Sequence, residues 1–177
     1  AHIPNSIFIG LEGNFAPWVG ALISDLKQPI LLVCDIDKEE DAITRLARVG
    51  YDNTIGYLKG GFQTWLNAKK ETDEITSTDA EQFAQTFSAQ RINVIDVRRE
   101  NEYDIAHVKN AKNKPLDYIN EWINDLSKNE TYYVHCAGGY RSVITLSILE
   151  ARGFQHLINI QEGFKAIAAT DIPQTAY

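Results

Sequence analysis

The sequence predicts an α/β fold of two related three-layer units, each with a central parallel sheet, the first cut short at its N-terminal side. Two observations predict it. The chain repeats itself: AHIPNSIFIG at residues 1–10 resembles AHVKNAKNKP at 106–115, PILLVC ending at Cys34 resembles TYYVHC ending at Cys136, and RLARVGYDNTIGYLKGGF at 45–62 resembles ILEARGFQHLINIQEGF at 148–164. The copies stay in order at offsets of 102 to 105 residues, which chance similarity would not maintain. Short apolar runs also alternate with helical patterns, as in βα units that build a parallel sheet. The second copy has about thirty residues ahead of Ala106, from roughly Glu74, whereas the first has none ahead of Ala1. The expected division is therefore a partial unit at 1–70 and a complete one at 74–177, with the polar stretch Ala68 to Ser77 as linker.

The elements of the second copy follow in order. Thr78 with Glu81 reads as a capping box, and Phe83, Ala84 and Phe87 give the next helix an apolar face. Asn93-Val94-Ile95-Asp96 reads as a short buried strand, and Ile119, Trp122, Ile123 and Leu126 fall at helical spacing. Tyr132-Tyr133-Val134-His135 is a second strand, Val143 to Leu149 an apolar helix stopped by Gly153, and Leu157 to Ile160 a closing strand. In such sheets, sites form where strands end and helices begin.

Composition narrows the function classes. Hydrophobic residues make up 44% and charged residues 23%, ordinary for a globular protein. No apolar run approaches the ~20 residues that span a bilayer. A net charge of −7 argues against nucleic acid or an anionic membrane as partner. With only Cys34 and Cys136, no disulfide framework is expected, and a reducing cytoplasm suits the chain. No secretory leader is expected, since AHIPNSIFIG lacks a basic start, and with no methionine, even at position 1, the chain is expected to be a processed or excised piece of a longer protein.

The segment that carries chemistry is a strand, then Cys136-Ala137-Gly138-Gly139-Tyr140-Arg141-Ser142, then an apolar helix. A cysteine at a strand's C-terminal end, before a small loop that feeds a helix, faces converging backbone N–H groups and the helix dipole. Both favour thiolate over thiol. Gly138 and Gly139 let the backbone curl, and Arg141 is the loop's cation, able to hold an anion or brace carbonyls. A free cysteine before a tight turn is more often a small buried hydrophobe. Arg141 and Ser142 opening an apolar helix shift the balance toward function.

With Asp96-Val97-Arg98, Glu102-Tyr103, Ala106-His107-Val108 and Glu162-Gly163-Phe164 arrayed around that loop, the second copy resembles the rhodanese domain family over nearly its whole length. The loop fits the family's Cys-x-x-Gly-x-Arg pattern. The resemblance implies a sulfurtransferase in which Cys136 carries a persulfide, with Ala137, Gly138, Gly139, Tyr140, Arg141 and Ser142 binding the donor. Related phosphatases place five residues between Cys and Arg; here there are four, which suits a single sulfur atom. A small-molecule donor, thiosulfate or a low-molecular-weight persulfide, and a thiol or cyanide acceptor are implied, with no cofactor. Asp96 and Arg98 are expected to support the site, Asp96 accepting N–H bonds and Arg98 pairing with Glu102. His107 is expected to be structural.

In the first copy, Cys34 is followed by Asp35, Asp37, Glu39, Glu40 and Asp41, with no glycine to curl the loop and no arginine to end it. Those carboxylates repel a thiolate, so Cys34 is expected to be inert. A degenerate unit containing Gly13-Asn14-Phe15-Ala16-Pro17-Trp18-Val19-Gly20 ahead of an intact one resembles the tail of fusion proteins that begin with a metallo-β-lactamase-fold persulfide dioxygenase. That front domain would be a partner outside this sequence. No metal is expected, because His2, His107, His135 and His156 show no ligand spacing. The first copy's sheet should be left open, and a strand-exchanged homo-oligomer is one way to fill it. Two alternatives stay open: a non-catalytic binding or regulatory module, and a cysteine-based phosphatase.

Overall fold

In the computed structural model, which describes residues 1–175, the chain forms two compact units. One comprises Ala1–Pro4 and Ile9–Glu74, the other Asn5–Phe8 and the residues from Ile75 onward.

The first unit runs α1 (Phe15–Leu22), β1 (Ile30–Leu32), α2 (Glu39–Ala47), β2 (Thr54–Tyr57) and α3 (Gly61–Asn67). β1 and β2 pair in parallel as a two-stranded sheet. Phe15 and Val19 of α1, Leu46 of α2 and Tyr51 form its core, with Ile30 and Leu32 packed against them. The alternate residues Leu31, Ile55 and Tyr57 are exposed, Leu31 by 71%, so one side of this small sheet is uncovered. Glu39, Glu40 and Asp41 fill the first turn of α2, where their charge complements the helix dipole.

The second unit runs β3 (Ser77–Thr78), α4 (Ala80–Ala89), β4 (Asn93–Asp96), α5 (Glu100–Ile105), β5 (His107–Val108), β6 (Lys112–Asn113), α6 (Ile119–Trp122), β7 (Tyr132–His135), α7 (Tyr140–Ala151), β8 (Leu157–Ile160), α8 (Gly163–Ile167) and β9 (Gln174–Thr175). Its sheet has five strands in the order β3-β8-β7-β4-β6, every neighbouring pair parallel. Central strands that pair in parallel beneath helices are largely apolar, and Val94, Ile95, Val134 and Ile160 are buried accordingly. In the register of β4 with β7, Asp96 lies opposite His135, one residue before Cys136. Phe83 of α4 and Ile167 of α8 pack over Val94 and Ile160. Phe83 is fully buried and contributes about 1.5–3 kcal/mol.

Three readings of detail shift. The cap of α4 is Asp79, whose carboxylate accepts the Gln82 N–H at 2.8 Å, so the expected Thr78–Glu81 box slips by one residue. Both Thr and Asp cap well, and the ionised carboxylate also favours the helix N-terminus. The helix expected at Val143–Leu149 begins earlier, at Tyr140, because Gly139 takes a left-handed conformation and turns the chain directly into it. Leu126 lies beyond its helical turn in extended backbone.

Candidate active site

Cys136 follows the last residue of β7 and is 1% exposed. Only Ala137, Gly138 and Gly139 separate it from α7, so Tyr140, Arg141 and Ser142 form the first turn of that helix. The φ of Gly139 is +101°, a conformation L side chains rarely adopt, and it aims the Gly139 N–H at Cys136 Sγ at 3.1 Å. Ser142 is fully buried; its Oγ donates to the Gly139 carbonyl at 2.9 Å and lies 3.8 Å from Sγ. The sulfur thus sits at the N-terminal end of a 12-residue helix, where positive dipole potential favours an anion.

From below, α8 braces the loop. The Phe164 N–H donates to the Cys136 carbonyl at 2.6 Å and the Lys165 N–H to the Ala137 carbonyl at 3.1 Å. Gly163, at φ +58°, lies so close that an added Cβ would overlap the Cys136 carbonyl and come within 2.9 Å of the Ala137 carbonyl carbon. Gly61 lies as far beyond Cys34 as Gly163 lies beyond Cys136, and an added Cβ there would press on the Cys34 carbonyl. The two units therefore share one local construction. The repeated Gly-Phe pairs, Gly61-Phe62 and Gly163-Phe164, were the sequence signal for this brace.

Arg141 and Glu102 are held in a bidentate pair, Nη1 to Oε2 at 2.6 Å and Nη2 to Oε1 at 2.8 Å. The hydrogen bonds from Arg141 hold the Glu102 carboxyl below the usual glutamate range, and the same bonds raise Arg141 above its ordinary value. The expected Arg98–Glu102 pair does not form. Arg98 instead donates from Nε and Nη2 to the Asp96 carboxylate at 3.0 and 2.6 Å, and from Nη2 to the Ala106 carbonyl at 2.7 Å. Being two residues from Asp96 at the end of one strand, it reaches that carboxylate first. Its guanidinium also lies 4.0 Å from the centre of the Phe164 ring. Asp96 and Arg98 are buried, and Asp96 accepts the Arg98 backbone N–H at 3.0 Å.

His135 is buried beside this pair, its Nε2 3.8 Å from Asp96 Oδ2 and its Nδ1 3.3 Å from the Cys136 carbonyl oxygen. Burial pushes it below the ordinary histidine value, against the opposing pull of Asp96. His107 is buried, stacked on Tyr103 at 3.7 Å, with Nδ1 2.8 Å from the Tyr103 carbonyl. Tyr140 is half-buried, and the Phe8 ring meets it edge-on at 6.3 Å. In the first unit, Cys34 is half-buried, and its thiol is pushed up by burial first and then by Glu39 and Asp35.

A buried cysteine at the mouth of a four-residue strand-to-helix loop, on a five-stranded parallel sheet, defines a cysteine-loop α/β protein. The family model for the rhodanese-like domain matches residues 1–68 and 79–170, and the chain belongs to that family. It is similar to "Putative sulfur carrier protein YrkF" of Bacillus subtilis, 31% identical over 108 residues, covering 60% of this chain and 56% of that protein. It is also similar to "Probable adenylyltransferase/sulfurtransferase MoeZ" of Mycobacterium tuberculosis, 32% identical over 83 residues, covering 46% of this chain and 21% of that protein. The chain thus spans about half the length of the first of these, and less of the second. Among solved structures, a rhodanese-like domain protein from Staphylococcus aureus is 30% identical with a TM-score of 0.53, covering 58% of this chain and 99% of that one. Among the described residues, no helix is long and apolar enough to cross a membrane.

Proposed function

We propose that the second unit is a sulfurtransferase in which Cys136 accepts a sulfane sulfur and passes it on. The observation that carries this reading is the Gly139 N–H aimed at Cys136 Sγ from the N-terminal end of α7, 3.1 Å away. The Cys136 thiolate attacks the outer sulfur of a donor, thiosulfate or a low-molecular-weight persulfide. A new S–S bond forms, the donor's S–S bond breaks, and its electron pair leaves with sulfite or a thiolate. Cys136 then holds an outer sulfur anion within the loop. Attack by an acceptor, a thiol or cyanide, removes that sulfur and restores the thiolate. Ala137 to Ser142 shape the bowl, while Asp96 and Arg98 anchor the strand end beneath it.

Only four residues separate Cys136 from Arg141, a loop suited to one sulfur rather than a phosphate group. The raised thiol of Cys34 leaves the first unit a structural or docking role. The resemblance carried by Gly13–Gly20 ahead of an intact unit suggests a setting for the chain, the tail of a fusion with a metallo-β-lactamase-fold persulfide dioxygenase, and its two unpaired cysteines suit a reducing cytoplasm.

Thiocyanate formation from thiosulfate or glutathione persulfide with cyanide tests the reading. Turnover that survives Cys34→Ser and is lost in Cys136→Ser is expected. Turnover unaffected by Cys136→Ser would refute it. No turnover with any donor would favour a non-catalytic module, and hydrolysis of an aryl phosphate would favour a phosphatase.

A further inference from the structure

Arg141 would ordinarily be the group that attracts an anionic donor, but its charge is already matched. Both terminal nitrogens of its guanidinium are taken by Glu102, at 2.6 and 2.8 Å, and the pair is mostly buried, with side-chain exposures of 16% for Arg141 and 33% for Glu102. Glu102 cannot readily swing away, because its Oε2 also accepts the Arg99 N–H at 3.2 Å and so is fixed to the start of α5. Each partner holds the other in its charged form, so the pair is ionised on both sides at neutral pH. What remains to hold negative charge at Cys136 is the Gly139 N–H and the end of the α7 dipole, a partial charge of about one half. That is enough for one sulfur anion. Among the described residues, the two arginines nearest the loop, Arg141 and Arg98, are already paired with Glu102 and Asp96.

We infer that Glu102 sets the charge class of the sulfur donor: by cancelling Arg141 it leaves the bowl around Cys136 with only the partial charge of the α7 dipole, so a neutral or singly charged organic persulfide is preferred to dianionic thiosulfate. The inference rests on the sulfurtransferase reading above. The apolar surface beside the loop agrees with it. Ala137 directly follows the cysteine, Tyr140 opens α7, and Phe8 lies edge-on against Tyr140 while 45% exposed. In the favoured step the Cys136 thiolate bonds to the outer sulfur of R–S–SH. The donor's S–S bond breaks, its electron pair stays on R–S, and that sulfur takes the proton. The products are Cys136–S–S⁻ and R–SH.

The test compares kcat/KM for glutathione persulfide and for thiosulfate in the whole chain and in Glu102→Gln, which keeps the shape of the side chain and removes its charge. The unmodified chain should prefer the persulfide by about tenfold or more, the effect of one uncompensated charge nearby. Glu102→Gln should raise kcat/KM for thiosulfate by about tenfold through a lower KM, and change the persulfide value by less than about threefold. A preference of the unmodified chain for thiosulfate, or equal changes for both donors in the variant, would overturn the inference. If the variant does not fold, salt decides on the unmodified chain. Its KM for thiosulfate should stay level or fall up to about 1 M salt, where screening acts within ~3 Å, and a severalfold rise would overturn the inference. Loading of Cys136 from neither donor would overturn the sulfurtransferase reading and this one with it, whereas preferential loading from thiosulfate overturns this one alone.

Discussion

Replacing Gly163 with alanine perturbs the loop without touching any side chain in it. Gly163 has φ +58°, and an added Cβ would overlap the Cys136 carbonyl oxygen and crowd the Ala137 carbonyl carbon. The left-handed conformation costs a non-glycine residue about 1–2 kcal/mol. Forcing a methyl into packed backbone adds about 1–3 kcal/mol. The sum, about 2–5 kcal/mol, would lower the melting midpoint of a unit of ~100 residues by about 8 °C or more. The Cys136 and Ala137 carbonyls must move to relieve the overlap, and Sγ moves with them away from the Gly139 N–H. A displacement near 1 Å at a reacting group can cost about a hundredfold, so sulfur transfer should fall by at least tenfold. The first unit supplies the control. A Cβ added at Gly61, at φ +60°, would press on the Cys34 carbonyl in the same way, so Gly61→Ala should destabilise its own unit while Cys136 chemistry continues. Thermal melts and thiocyanate assays on both variants check this. Gly163→Ala with an unchanged midpoint and rate would refute the account of the brace.

Other predictions concern the buried charges. Asp96→Ala would leave Arg98 buried without its carboxylate, and urea unfolding should show a loss of about 3–5 kcal/mol. His135 sits below its ordinary value in the folded unit, so the unfolded chain binds its proton first as pH falls. The stability tied to its neutrality is present above about pH 6.5 and is lost at up to about 1.4 kcal/mol per pH unit as pH falls toward the folded value. His135→Phe should flatten that slope between pH 7 and 5 relative to the unmodified chain, and identical slopes would contradict this. Glu102 is likewise lowered by Arg141, so its charge persists through the usual glutamate range and is lost only below it; kcat/KM for thiosulfate should rise there as pH falls, and Glu102→Gln should abolish that rise.

Much of this fold could be read from residue spacing alone, because its strands are short, apolar and regular. Asn93–Asp96, Tyr132–His135 and Leu157–Ile160 are strands where the pattern places them. Helix starts are less legible in the residues. Thr78 and Asp79 are both good caps, and only the backbone settles which one turns first. The start of α7 depends on the left-handed turn at Gly139, which composition permits but does not require. The cysteine loop was readable because its chemistry needs small residues and a cation in a few positions. Its partners were not. Which carboxylate meets Arg141 depends on α5 packing near α7, and the motif pieces around Glu102 and Arg98 name both arginines without assigning them. Gly163 acts through the closeness of two backbones far apart in sequence, which only the folded chain brings together.

Everything turns on Cys136 carrying sulfur in the bowl that Gly139, Ser142 and α7 make around it. Intact mass of the whole chain after exposure to glutathione persulfide and removal of excess donor, followed by fragmentation to locate the addition, measures this directly. The account predicts one added sulfur atom on the peptide containing Cys136, removed by cyanide and absent in Cys136→Ser. Sulfur found on Cys34 instead, or a chain of unchanged mass, would contradict it.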